Sequence, residues 1–520
     1  MTAGAHPFPA AAIRPVSARP RVEYLLFGVP VAILAVAALL PGLLAPSLDA
    51  AVFSLVGERL SQGQLPYAQL FDHKPPGMYL LIACGQLLNG TLGAWKVSWI
   101  LSVVSLALTG TLVADTLRAL GWRRLAWAAG GLCVAELGSF PLALGGGLGE
   151  TIAVFPAAVA VRIGLLGSMR SGTLIAAGAL AGIAAAISVQ AAPALVALLV
   201  AVLLRHSSPS HHRALHGLRI VSGAAAVWTV LLVAMGSTGA TGAAVEAVIG
   251  YNRAYTQLAA FDTPMGTEAM HAFLVVSPLA VLATVGAARS LLRRTQVEFT
   301  VVMLAWIASS VALIAVQGRL ELHYVTLLVP PLALLAPAGL ELLWIRGTFP
   351  RLAGSATLAA FLVAAFGVSL LLATVETAMA MEVRSGQAIR SHAVASWVWR
   401  QVPADQQIFV WGNVPEIYLD ADRTPASPYV YMLPLTTPGF TSERLIGQVL
   451  ADWKSAPPGV IVDAGSAAPG SAGLPPLLIQ RPTLALDGRN ADLLDPLRDF
   501  VRERYRLATT VQGWPIYVLR

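Results

Sequence analysis

Apolar residues run in long, nearly unbroken stretches over most of the chain, and each stretch of about 20 reads as a helix that crosses a membrane. Such runs lie near 24–45, 95–118, 124–141, 149–167, 173–188, 190–205, 217–236, 271–289, 298–316, 323–345 and 354–376, about eleven in all. The apolar run 77–88 is too short to cross a hydrocarbon core of about 30 Å and reads instead as a helix lying at the interface or dipping in and out. It follows the one polar, acid-bearing stretch near the start of the chain, 49–76, which ends on Pro75-Pro76, a pair that stops any helix. After 376 the composition becomes mixed. Short β-like runs at 407–411, 459–463 and 514–519 alternate with helical stretches, notably 491–505. The expected architecture is a polytopic α-helical membrane domain over 1–376, with a first loop at 46–94, followed by a small α/β domain over 377–520.

Composition agrees with the pattern. Of 520 residues 56% are hydrophobic and 12% charged, whereas a soluble domain carries about 25% charged residues. Cys84 and Cys133 both sit in apolar runs and read as small buried hydrophobes rather than a disulfide. The net charge of +7 does not imply nucleic acid, because the basic residues are scattered through short loops without interleaved aromatics. They order the spans instead. If 77–88 does not cross, one face collects Arg14, Arg19, Arg21, Arg118, Arg123, Arg124, Arg170, Arg205, Arg213, Arg219, Arg289, Arg293, Arg294, Arg346 and Arg351. The other face holds only Arg59, Lys74, Lys96, Arg253 and Arg319. The positive-inside rule then puts the N-terminus in the cytoplasm and 377–520 outside, in a multi-pass protein of the cell (plasma or inner) membrane. The first apolar run is too long for a signal peptide, lacks a clear cleavage site, and reads as a retained span.

With that orientation the acids Asp49, Glu58, Asp72, Glu150, Glu246, Asp262, Glu268 and Glu321 fall in outer loops or at their edges, which implies an external site. Asp49, just beyond the first span, suits a base that takes a proton from an incoming hydroxyl; it is equally placed to cap a helix beginning near Ala50. Asp72-His73-Lys74 is presented by a stiff loop between Pro66-Tyr67 and Pro75-Pro76, as an anion contact or as a solvated ion pair. Gly145-Gly146-Gly147-Leu148-Gly149 lets the backbone pass close to a ligand or another helix, and Glu150 then opens a helix, where a carboxylate is favoured with or without function. Arg253 in the loop 237–270, Arg319, and His323-Tyr324 at the start of a span suit a phosphate head group, although snorkelling also accounts for an isolated Arg. His206, His211, His212 and His216 lie on the cytoplasmic side without carboxylate or cysteine company, a poor metal set.

These residues resemble a known family. The run LDAAVF followed by GERLSQGQLPYAQLFDHKPPGMYLL is similar to the first external loop of GT-C membrane glycosyltransferases, in the group related to protein O-mannosyltransferases and bacterial aminoarabinose transferases. Gly149-Glu150, Leu322-His323-Tyr324 with Pro330-Pro331, and Val410-Trp411-Gly412 with Pro415-Glu416-Ile417-Tyr418 follow in the family's order. The resemblance implies a GT-C fold and transfer of a sugar from a polyprenyl-phosphate donor to a glycan, lipid or protein acceptor on the outer face, with inversion. Asp49 matches the acid taken as catalytic, Glu150 the second acidic position, and Lys74 the lysine of the KPP motif. With Asp72 they make up the catalytic side, and Lys74, Arg253, Arg319, His323 and Tyr324 are the candidates for the donor phosphate. Two departures stand out. Asp49-Ala50 replaces the Asp-Glu of many relatives, so a divalent cation stays an open alternative to no cofactor at all, and Gln190 stands where relatives often carry Lys. A transporter or flippase of lipid-linked sugars is the rival class; it calls for inverted repeats and polar groups at mid-membrane. A non-catalytic scaffold, with Asp49 and Lys74 replaceable, is the third.

Overall fold

The computed structural model describes residues 24–205, 210–256, 265–318, 320–344, 353–465, 476–478 and 492–520. Arg319, His206, Asp262, Arg346, Arg351 and the basic residues before Tyr24 lie outside them, as do the side chains of residues 354–373 in the last expected span. Helices dominate. Among the described residues seven are long and apolar enough to cross a membrane: Leu26–Leu43, Ala94–Ala119, Gly149–Leu166, His212–Ser237, Met270–Arg293, Val297–Val316 and Leu322–Glu341.

Three other expected spans come out as shorter helices, Ala126–Leu137, Ser171–Ile187 and Val189–Leu203. Local chemistry accounts for two of them. Ser139 leaves the helical conformation and Pro141 opens a fresh short helix, Phe140–Ala143, while Val189–Ala191 winds as a 3-10 turn before Pro193 starts the next helix. Gly77–Leu88 is a helix of 12 residues, as its length in the sequence predicts. The helix Ala353–Gln401 runs on for 49 residues, so the change of composition after 376 marks no break in the backbone.

The chain divides into two compact units: Met1–Leu40, Trp99–Leu231 and Pro264–Thr377 form the first, and Pro41–Ser98, Leu232–Thr263 and Ala378–Arg520 the second. The first is held by close helix packing. Ala160, Leu174, Ala177, Ala181, Leu198, Val202 and Ile220 form a continuous buried cluster. Small residues let the backbones meet: a Cβ on Gly178 would lie 1.9 Å from the Ile220 carbonyl oxygen, and one on Gly223 2.1 Å from that of Ile175. Without a hydrophobic drive between helices in lipid, such backbone contact is what packing can use.

The second unit contains the sheet. Its strands are β1 (Ile408–Trp411), β2 (Val460–Asp463), β3 (Tyr505–Val511) and β4 (Trp514–Leu519), in the order β1-β2-β4-β3, with β1 and β2 parallel and the other pairs antiparallel. β1 and β2 are buried along their whole length, as their unbroken apolar runs require. Gln512 and Gly513, at φ 51° and 86°, form the two-residue turn of the β3–β4 hairpin. The amphipathic helix Glu443–Ser455, capped by the Ser442 hydroxyl, buries Leu445, Ile446, Val449 and Trp453; Trp453 meets the Phe409 ring edge-on at 4.7 Å between centroids. The result is the small α/β layer expected of this region, built in one unit with the first loop and 232–263.

Candidate active site

Asp72 is the organising acid of the second unit. It is 3% exposed, and a carboxylate buried to that degree must be hydrogen-bonded. The His73 backbone N–H donates to Oδ1 over 2.7 Å, the Tyr79 hydroxyl to Oδ2 over 2.6 Å, and the Tyr431 hydroxyl to Oδ1 over 3.4 Å. The His73 ring lies alongside, with Nδ1 3.3 Å from Oδ1 and 3.1 Å from the Tyr431 oxygen. Burial alone would raise the Asp72 carboxyl; the hydrogen bond and charge of His73, with the Tyr79 hydroxyl and the His73 N–H, outweigh it and hold the group below the usual carboxylate range. The carboxylate is therefore ionised and acts as acceptor only.

The same contacts shape the loop that carries Lys74. The Tyr67 hydroxyl donates to the Lys74 carbonyl over 2.9 Å, and Tyr67 itself takes φ 67°, so the turn before the Pro-Pro pair is fixed from both sides. The Phe71 N–H donates to the Pro428 carbonyl over 2.8 Å, and the Asn252 amide to the His73 carbonyl over 3.1 Å. Around this loop stands an aromatic wall: Tyr251 and Tyr255 stack at 5.3 Å, the His73 ring lies 4.9 Å from Tyr251, and Phe71 packs on Tyr251, Tyr429 and Phe440. Arg253, one residue on from Asn252, is exposed.

Asp49 sits in the first turn of the helix Leu48–Ser61, whose cap is Ser47: its hydroxyl accepts from the Ala50 N–H over 3.3 Å. The capping role open to Asp49 in the sequence thus falls to Ser47, and the half-buried Asp49 side chain makes no hydrogen bond among the described residues. It remains close enough for its charge to act on Tyr431. That phenol is pushed well above its ordinary range by burial, then by Asp72, Tyr251, Asp49 and Tyr255.

Glu150, His323 and Tyr324 belong to the first unit. Gly145, Gly146 and Gly147 take φ 80°, 99° and 85° in succession, a path closed to other residues, and the Gly147 N–H donates to the Ser102 hydroxyl over 2.8 Å. Gly149 passes the Ile187 carbonyl so closely that a Cβ would lie 2.9 Å from its oxygen. Glu150, 5% exposed, accepts a 2.9 Å hydrogen bond from the Ser188 hydroxyl. Gln190 donates to Gln317 over 2.8 Å, while its own Oε1 and the Nε2 of buried His323 have no partner among the described residues.

Of the site residues read from the sequence, Asp72 and Lys74 share one loop contact network, with Asp49 and Arg253 in the same unit; Glu150, His323 and Tyr324 are in the other, and Arg319 is outside the described residues. Tyr79, Tyr431 and Tyr255 are functional candidates that the sequence did not single out, and Tyr251 stood out in it only as the neighbour of Asn252-Arg253. Tyr79 could have been found, seven residues beyond Asp72 and in the first turn of its helix; Tyr431 has no local signal. Among the described residues no group of three His, Cys, Asp or Glu comes together, and the neighbour of Asp49 is the buried methyl of Ala50.

No protein-family model and no curated protein matches the sequence. In structure the chain is similar to ArnT from Cupriavidus metallidurans. The apo crystal structure aligns at a TM-score of 0.55 and 13% identity over 96% of this chain and 98% of that one. The structure bound to undecaprenyl phosphate aligns at 0.56 and 13% over 95% and 98%. A likeness at this identity concerns fold, and the fold of this chain is that of ArnT, the GT-C architecture implied by its first-loop motif.

Proposed function

We propose that the chain is a membrane glycosyltransferase that moves a sugar from a polyprenyl-phosphate donor to a glycan, lipid or protein acceptor on the outer face of the cell membrane, with inversion. One observation carries this reading: Asp49, the Asp72-His73-Lys74 loop and Arg253, far apart in the chain, lie in one compact unit. The unit thereby offers a carboxylate with no hydrogen bond among the described residues, a rigid lysine loop and an exposed guanidinium. The undecaprenyl phosphate bound to ArnT supports a donor of the same class. In this mechanism Asp49 takes the proton of the acceptor hydroxyl as that oxygen attacks the anomeric carbon. Lys74 and Arg253, in the same unit, hold the phosphate that leaves.

Asp49→Asn tests the base. It keeps the size of the side chain, and the cap it might have disturbed belongs to Ser47. A general base contributes about 10²–10⁴-fold, so the folded variant should bind lipid donor and transfer sugar at under about one hundredth of the unmodified rate. Transfer above about a tenth of that rate would move the base elsewhere, with Glu150 next.

A further inference from the structure

An imidazole with a buried carboxylate at one nitrogen and nothing at the other is a group set to act at the open end. His73 has this arrangement. Nδ1 lies 3.3 Å from the Asp72 carboxylate and 3.1 Å from the Tyr431 hydroxyl. Its side chain keeps 12% of its surface exposed, and Nε2 makes no hydrogen bond among the described residues. A lone pair on Nδ1 facing the Asp72 oxygen would be repelled, so the proton of the neutral ring belongs on Nδ1. The ring cannot turn easily, because Tyr251 packs against it at 4.9 Å and Asn252 ties the His73 carbonyl.

We propose that His73 is a phosphate-binding residue of this site, whose protonated ring donates Nδ1–H to Asp72 and Nε2–H to the phosphate of the lipid-linked donor. The inference rests on the glycosyltransferase reading and deepens it. Asp72 then acts on the substrate only through His73 and is a positioning residue, since its own oxygens are taken by His73, Tyr79 and Tyr431. Only the imidazolium form can serve: the neutral ring turns a lone pair outward, against an anion. Donor affinity must therefore fall as pH rises. The other ionisable groups against this region are Tyr251 and Tyr255, Tyr431, and Asp49, whose charge reaches Tyr431; Lys74 follows His73 on the loop and Arg253 follows Asn252 in the chain.

The test measures binding of undecaprenyl-phosphate glucose to the full chain in detergent at two pH values. This phosphodiester keeps its single charge throughout, so the probe does not titrate. The unmodified protein should bind at least about threefold more tightly at pH 6 than at pH 8. His73→Gln should bind equally at both and more weakly than the unmodified protein at pH 6; Asp72→Asn, which removes the carboxylate that orients the ring, should also bind more weakly than the unmodified protein at pH 6. Thermal unfolding of both variants establishes that they are folded, and should either fail, Tyr431→Phe, which removes only one hydroxyl, is expected to weaken the dependence. A dependence that survives in His73→Gln, or affinity equal at both pH values in the unmodified protein, overturns the role of His73 while leaving the donor class in place. Absence of binding at either pH overturns both.

Discussion

Ser47 caps its helix and leaves the carboxylate two positions on outside the capping hydrogen bond. That division is invisible in the sequence, where Ser47 and Asp49 are both good caps, and it is settled by where the helix begins, at Leu48 rather than near Ala50. The glycines after Leu144 were legible by contrast, because a run of them has few uses other than positive φ. Gly146, at φ 99°, is a firm case: Gly146→Ala should lower stability by about 1–3 kcal/mol, the range for a residue held in a forbidden backbone region. Gly131→Ala, in a helix with nothing within 4 Å of its added Cβ, is the control and should be neutral or stabilising. Equal unfolding midpoints for the two variants in detergent would contradict the strain argument. Tyr431 was not legible at all. It meets Asp72 across 359 residues, and no local period encodes such a partner.

At the scale of elements, length and apolar run predicted most helices, since in lipid a span has to satisfy its backbone within itself. What they missed was internal punctuation: the breaks at Ser139 and Ser188, and the unbroken helix Ala353–Gln401 where composition alone changes. β1, β2 and β4 were visible as apolar runs, whereas β3, with Arg506, Leu507, Ala508 and Thr510 exposed, carries little of the pattern of a buried strand. Gly77–Leu88 bears on orientation. Its 12 residues reach about 18 Å, short of a hydrocarbon core of about 30 Å. If it does not cross, the arginine-rich loops share the cytoplasm and the C-terminus lies outside. A phosphatase reporter that is active only outside the cytoplasm, fused after Arg520, should be active; an inactive reporter whose cytoplasmic counterpart works at the same position would reverse the orientation and remove the external site.

For the whole molecule, two compact units replace the simple succession of a membrane domain and an outer domain that composition outlines, because the second unit also takes in Pro41–Ser98 and Leu232–Thr263. Composition could not have displayed this. The loop 49–76 is polar where the sheet domain is mixed, and their union depends on individual contacts such as the hydrogen bond from Phe71 to Pro428, or Arg59 donating to the Arg423 carbonyl over 3.2 Å. That unit is the proposed seat of transfer from a lipid-linked sugar. Mass spectrometry of lipid co-purified with the Asp49→Asn protein tests this most directly, because a variant that binds donor but hardly turns over should retain it. The expected lipid is a polyprenyl phosphate still carrying its sugar; bulk phospholipid alone, with no polyprenyl phosphate in either glycosylated or free form, would contradict the transfer from a lipid-linked donor.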